Sequence, residues 1–266
     1  MSSKPKSYRV APNSVYVWRG FMAPPPRSYA QFTDFLGSVF VPACALLQPK
    51  VGLRAYLPTM VPQKNKPAAV PDQTALMFWA TPEAHDLANG AIAVRIYQNL
   101  HGDAYDMNRS HLPEVPLALP ETAAQLIAEQ PYFLFDNPAD WMLGQTSHVV
   151  GGRPENVSPA DFLASVYKWA ADFKTNAPKN IDAALVCGGN DYAVAWAHSA
   201  AKTDGNFSKC LDGFAALTRV QMQVSPRPLT LGAGLWNKWS GIDLTKPENA
   251  SINIQLTRPA KTIPVS

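Results

Sequence analysis

Apolar residues recur along this chain in two styles, short runs with a period near two and longer stripes with a period between three and four, and the same succession of styles occurs twice. A strand-like run at 14–21 precedes a helical pattern that opens at Ser28 and carries Phe32, Phe35, Leu36, Val39 and Phe40 as its buried stripe. Strand-like runs at 51–58 and 73–80 follow, joined by a Pro- and Lys-bearing loop. Further along, 144–152 reads as a strand, and a helix opening at Ser158 places Phe162, Val166, Trp169 and Phe173 on one stripe. Strands at 181–187 and 192–198 come next, joined by the hairpin chemistry of Gly188-Gly189-Asn190-Asp191. The two helix starts, Ser28-Tyr29-Ala30-Gln31-Phe32 and Ser158-Pro159-Ala160-Asp161-Phe162, lie 130 residues apart. In each, the serine is placed to accept from the backbone N–H three residues on, and Pro159 suits a first helical position. A second helix follows each strand pair, opened by Thr81-Pro82-Glu83 in the first half and spanning 206–217 in the second. Alternating Val220, Met222 and Val224 predict a closing strand at 219–224, and 132–135 is the candidate fourth strand of the first half.

A β-α-β-β-α-β order is the split βαβ, or ferredoxin-like, motif. Two in tandem, with the shared Ser-x-Ala-x-Phe helix start, resemble the dimeric α+β barrel superfamily with both halves fused in one chain. The resemblance implies an α+β fold of tandem ferredoxin-like repeats forming a pseudo-twofold barrel, its sheets facing each other and its helices outside. The expected units are 10–140, 141–225 and a C-terminal extension, 226–266, packing on the barrel. In that extension 227–231 and 251–256 read as strands able to pair with a sheet edge, and Trp236 and Trp239 as anchors.

Composition narrows the class. With 47% hydrophobic and 16% charged residues the chain supports a substantial core, and a formal net charge of +3 is too weak a field to imply nucleic acid or acidic lipid. The longest apolar run, 39–47, contains Pro42 and is far shorter than the roughly 20 residues of a membrane span, and no secretory signal is visible at the N-terminus. Cys44, Cys187 and Cys210 form no C-x-x-C pair and sit in apolar surroundings, so they read as small buried hydrophobes in a reducing cytoplasm. The expected partner is a small-molecule ligand, with neither nucleic acid nor membrane, in a monomer or homo-oligomer.

Alternation in 192–198 puts Tyr192, Val194, Trp196 and His198 on one face and three alanines on the other, where a helix can approach. The bulky face is expected to line the barrel, with Met77 and Trp79 matching it in the first half. Alignment by the 130-residue offset sets Trp18 against His148 and Tyr16 against Thr146, which leaves Arg19 pointing away. The expected pocket therefore combines Tyr16, Trp18, Trp79, Tyr192 and Trp196 as substrate-binding walls with His148 and His198 as acid/base groups, since imidazole titrates near neutrality. The same aromatics are equally those of a filled barrel, each polar tip with one partner. His101-Gly102-Asp103 and Asp106 read as a solvated helix end, and no metal-ligand spacing is present. Dinucleotide, Walker A and G-x-S-x-G motifs are absent too. The resemblance implies a small-molecule enzyme on an apolar or aromatic substrate, of the cofactor-independent oxygenase, cyclase or lyase kind. Its haem-dependent branches supply an alternative, with His148 or His198 as axial ligand. A non-enzymatic ligand-binding or structural protein is the third reading.

Overall fold

The computed structural model describes residues 15–25, 27–114, 116–135, 141, 143–201, 207–230 and 241–255. Its first strand, β1 (Val15–Gly20), is buried at every position, so both of its faces are covered. Strands β2 (Leu53–Met60) and β3 (Gln73–Trp79) pair antiparallel with each other, and β3 with β1. Between β1 and β2 runs a continuous helical stretch, α1 (Tyr29–Phe35), a π-helical turn at Leu36–Phe40, α2 (Val41–Leu47) and a 3₁₀ turn at Gln48–Val51. Its start is the expected reciprocal cap: the Ser28 hydroxyl accepts from Gln31 N at 3.2 Å, and the Gln31 amide oxygen accepts from Ser28 N at 2.8 Å. Pro42 has no N–H to offer the turn before it, and the π turn, with Val41 N bonded to Leu36 O, takes up the local irregularity. The 23-residue stretch is long and apolar enough to cross a membrane, yet half of its apolar window is buried inside the fold. Phe32, Leu36, Phe40, Val41 and Cys44 face the core, whereas Val39, expected on the same stripe, is 42% exposed.

Two helices, α3 (Pro82–Gly90) and α4 (Ile92–Ala104), follow β3 and lead into β4 (His111–Glu114), which pairs with β1. This is the fourth strand of the first half. The expected candidate, 132–135, instead overlaps β6 (Pro131–Phe133), which with the short β5 (Leu117–Ala118) joins the other sheet. Pro113 falls within 111–114, and β4 is an edge strand, where a missing N–H is tolerated.

The second half runs β7 (Gln145–Gly152), α5 (Pro159–Asn176), β8 (Ala183–Gly188), β9 (Tyr192–Ser199), α6 (Asp212–Ala215) and β10 (Arg219–Val224). Ser158 caps α5 by accepting from Asp161 N at 3.1 Å, while the Asp161 carboxylate accepts from the serine hydroxyl at 2.7 Å. From the C-terminal extension come β11 (Arg227–Thr230) and β12 (Ile252–Gln255); β12 pairs with β2, and β11 pairs with β12 as the outermost strand. Trp236 and Trp239 lie outside the described residues. The extension also closes on the long helix at Gly37, whose carbonyl accepts from Ile242 N at 3.0 Å. A Cβ on Gly37 would lie 1.9 Å from the Ile242 carbonyl oxygen, so only glycine admits this approach.

The sheets are therefore β11-β12-β2-β3-β1-β4 and β10-β7-β9-β8-β6-β5. Within them β4-β1-β3-β2 and β10-β7-β9-β8 have the same order counted from the start of each half. The protein is thus a mixed α+β fold, with two six-stranded sheets among the described residues. One core lies between the sheets and joins Val17, Leu76 and Phe78 to Val150, Leu185 and Trp196. A second packs the long helix and α4 on the outer face of the first sheet. The third packs α5 and α6 on the second sheet, where Ala193, Ala195 and Ala197 of β9 provide the expected small-residue face.

Candidate functional site

A cavity of about 430 Å³ lies between the outer face of the first sheet and helices α3 and α4. Strand alternation supplies its floor: Trp18 from β1 and Met77 and Trp79 from β3 point to the helix side. The Thr81 hydroxyl caps α3 by accepting from Ala84 N at 3.1 Å, with Pro82 in the first turn, and the helix then presents His85 and Asn89 one turn apart. Tyr97, Gln98 and His101 share a face of α4 by the same spacing. Gln48 and Met107 complete the lining.

The two imidazoles are set differently. His101 Nδ1 lies 2.9 Å from the main-chain oxygen of Gln98. A carbonyl only accepts, so in the neutral ring Nδ1 carries the proton and Nε2 the lone pair. The ring lies 5.0 Å from that of Trp18, 4.7 Å from Phe40 and 5.5 Å from Tyr97, edge-on to each. Burial in this aromatic nest lowers its pKa from 6.5, against a smaller opposing effect of the Gln98 carbonyl. His85 stacks on Tyr16 at 3.7 Å and meets Trp79 edge-on at 5.2 Å. Its Nδ1 is 3.5 Å from both the Asp86 carboxylate and the Asn89 amide nitrogen, and Asn89 in turn accepts from Gln98 Nε2 at 2.5 Å. Burial lowers the His85 pKa as well, opposed by Asp86. The Trp79 indole N–H is buried and has no hydrogen-bond acceptor among the described residues.

The residues singled out from the sequence divide between two places. Trp18 and Trp79 line the cavity, and Tyr16 packs behind His85. Tyr192, Trp196, His148 and His198 belong to the second sheet, Tyr192 and Trp196 within the inter-sheet core and both histidines fully buried. The expected single surface was an error of parity. In β1 the inward positions are Val15 and Val17, with Tyr16 and Trp18 turned toward the helices, so the 130-residue offset that aligns the helix starts misaligns the strand faces by one residue. Arg19, set aside as pointing away, is fully buried, with Nε 3.5 Å from Glu129 and Nη1 donating to Val17 O at 3.3 Å. Glu129 also accepts from the Tyr192 hydroxyl.

In the interior, His148 Nδ1 donates to Ala195 O at 3.0 Å, and Nε2 accepts from the Thr74 hydroxyl of the facing sheet at 3.1 Å. The ring stacks on Trp196 at 4.5 Å, and burial drives its pKa down to about 4. His198 Nδ1 lies 2.9 Å from the Thr146 hydroxyl, and its ring stacks on Trp141 at 4.4 Å. Sequence reasoning missed His85, Asn89, Tyr97, Gln98 and His101, whose one visible signal was their helical spacing. His101, read as part of a wet helix end, is a wall of the cavity instead. The three cysteines are unbridged thiols, and burial pushes Cys44 up to about 12 and Cys210 up to about 11, which suppresses the thiolate at both. Among the described residues no three His, Cys, Asp or Glu side chains converge as a metal site would require.

No protein-family model matches the sequence, and no curated protein does. Among solved structures, a "putative monooxygenase" from Lactobacillus acidophilus NCFM aligns at 9% identity over 79% of this chain and 90% of that one, with a TM-score of 0.31. An anthrone oxidase-like protein aligns at 10% identity over 81% and 91%, with a TM-score of 0.34. A second "putative monooxygenase", from Fusobacterium nucleatum, aligns at 10% identity over 79% and 88%, with a TM-score of 0.30. At these scores the likeness carries neither fold nor reaction.

Proposed function

We propose that this chain is an enzyme for a small apolar or aromatic molecule, held between the first sheet and helices α3 and α4 of a tandem ferredoxin-like α+β barrel. The repeated four-strand order supports the tandem reading. What supports the function is one cavity that combines indole and phenol walls with two imidazoles kept neutral by burial. Aromatic walls bind flat apolar surface, and a neutral imidazole is ready to take a proton at pH 7. Proton abstraction from carbon is one way into oxygenase, cyclase and lyase chemistry that uses no nucleotide cofactor. The interior residues His148, His198, Tyr192 and Trp196 are assigned to holding the two sheets together, because the His148 ring nitrogens are both bonded and one bond crosses between the sheets.

The haem alternative fits the cavity poorly. His101 offers a lone-pair Nε2, as an axial ligand must, but among the described residues no Lys or Arg lines the cavity to meet the two propionates. The test of the main reading is a titration of tryptophan fluorescence with 2-naphthol. Saturable quenching is expected in the wild type and weakened binding in Met77→Phe, which narrows the cavity. Equal affinity in both would place the ligand elsewhere.

A further inference from the structure

We propose that Arg19, His111 and Tyr192 form a second binding site, a cradle for a short unbranched carboxylate, and that the Glu129 side chain fills it until such a ligand displaces it. The cradle lies on the seam between the sheets and is independent of the helix-side cavity. One oxygen is its focus. Arg19 Nε lies 3.5 Å from Glu129 Oε2, His111 Nε2 lies 3.6 Å from the same atom, and the Tyr192 hydroxyl donates to it as well. Arg19 and His111 are partners across β1 and β4 of the first sheet, whereas Tyr192 opens β9 of the second and packs its ring in the inter-sheet core. Three groups from three strands therefore meet at a single carboxylate position. The other oxygen has its own allowance: a Cβ on Gly189 would lie 2.1 Å from Glu129 Oε1, so the glycine of the β8–β9 hairpin leaves the room that oxygen takes.

Glu129 reaches this position from a constrained main chain. Its φ is +69°, in the left-handed region that residues other than glycine seldom adopt. It is held there by its N–H, which donates to Gly188 O at 2.8 Å, and by the Cys187 thiol, which donates to its carbonyl at 3.4 Å. Tethered in this way, the carboxylate stays 3.5 and 3.6 Å from the two basic groups, beyond the roughly 2.7–2.9 Å of a charge-assisted hydrogen bond. A free carboxylate carries no such tether. The side chains of Glu129 and His111 are 28% and 36% exposed, so the cradle opens to solvent above a fully buried Arg19. Beyond its Cα a glutamate carries CH₂CH₂COO⁻, so turning the Glu129 side chain outward vacates the volume of a propionate. Exchange of one carboxylate for another also keeps a counter-charge on the buried guanidinium throughout.

The experiment titrates isotope-labelled propionate into the full chain at constant ionic strength and reads the bound fraction from its NMR line width. Saturable binding is expected in the wild type. Glu129→Ala, which removes a competitor tethered at an effective concentration of millimolar or more, should bind propionate at least about 10-fold more tightly. Adding Tyr192→Phe to that variant deletes one hydrogen bond to the charge and should cost on the order of 10-fold in affinity. Should Glu129→Ala fail to fold, Glu129→Gln, which keeps the shape and removes the charge, should shift affinity in the same direction. Equal affinity in wild type and variants, or binding in none, overturns the site. Binding in Glu129→Ala but not in the wild type overturns displacement and makes Glu129 a permanent strut between the sheets. Inorganic phosphate bound as tightly as propionate overturns the carboxylate class.

Discussion

The first sheet carries similar side chains on its two faces and does different things with them. On the outer face, Trp18, Trp79 and Met77 look across a cavity toward His85 and His101. On the inner face, Phe78 stacks on Trp141 at 4.7 Å, Trp141 stacks on His198, and Thr74 bonds His148. Both regions are aromatic and both hold two histidines, so residue type does not distinguish a site from a core. Space and spare valence do: among the described residues the outer face keeps two indole N–H groups, of Trp18 and Trp79, and an imidazole lone pair without hydrogen-bond partners, while inside, His148 is bonded at both ring nitrogens.

The contrast breaks most visibly at Trp141. Its ring lies between Phe78 of one sheet and His198 of the other, and its carbonyl accepts from Asn253 Nδ2 at 2.8 Å. Trp141→Ala should lower the unfolding free energy by about 3–5 kcal/mol in urea titration. A loss below about 1 kcal/mol would mean that the sheets are not joined there.

His148 supplies the next largest effect, through pH. Its pKa is about 4 in the fold against 6.5 for an ordinary histidine. Between those values the unfolded chain binds a proton that the folded chain refuses, so stability falls as pH drops from 6.5 toward 4 and levels off below. About 2.5 pKa units correspond to roughly 3 kcal/mol. In His148→Gln the acid-side slope of stability should flatten by about that amount relative to wild type, as read from urea midpoints across pH. An unchanged slope would show that His148 titrates normally. His85 and His101 shift in the same direction, so their variants should flatten the slope too.

How much of this was legible in the sequence follows from what each pattern encodes. Both helix caps were readable, because a Ser followed three residues later by Gln or Asp specifies local geometry. So were the two faces of β9, where alanines alternate with bulky residues. The faces of β1 were not, because Val15–Gly20 is buried on both sides and its polarity does not alternate with the pleat. The cavity was hidden for a different reason: it depends on how far α3 and α4 stand from the sheet, a tertiary distance that no local period records. His101 sits near a helix end, the usual place for a wet polar residue, and only the docked Phe40 and Trp18 make it a wall.

The smallest effect, that of Met77, sharpens the comparison when matched volume is removed from the inner face beside it. Leu185 is fully buried between the sheets, so Leu185→Ala should leave a new void and cost about 2–5 kcal/mol. Met77 is half-buried and already borders open space, so Met77→Ala should enlarge an existing cavity for only about 1 kcal/mol, since less apolar surface loses its partners. The informative readout is the pairing of stability with 2-naphthol affinity. Leu185→Ala should lose stability and keep affinity, and Met77→Ala should keep stability and change affinity. If both variants lost stability equally and neither changed binding, the outer face would be core like the inner one, and the division of labour between the faces would fail.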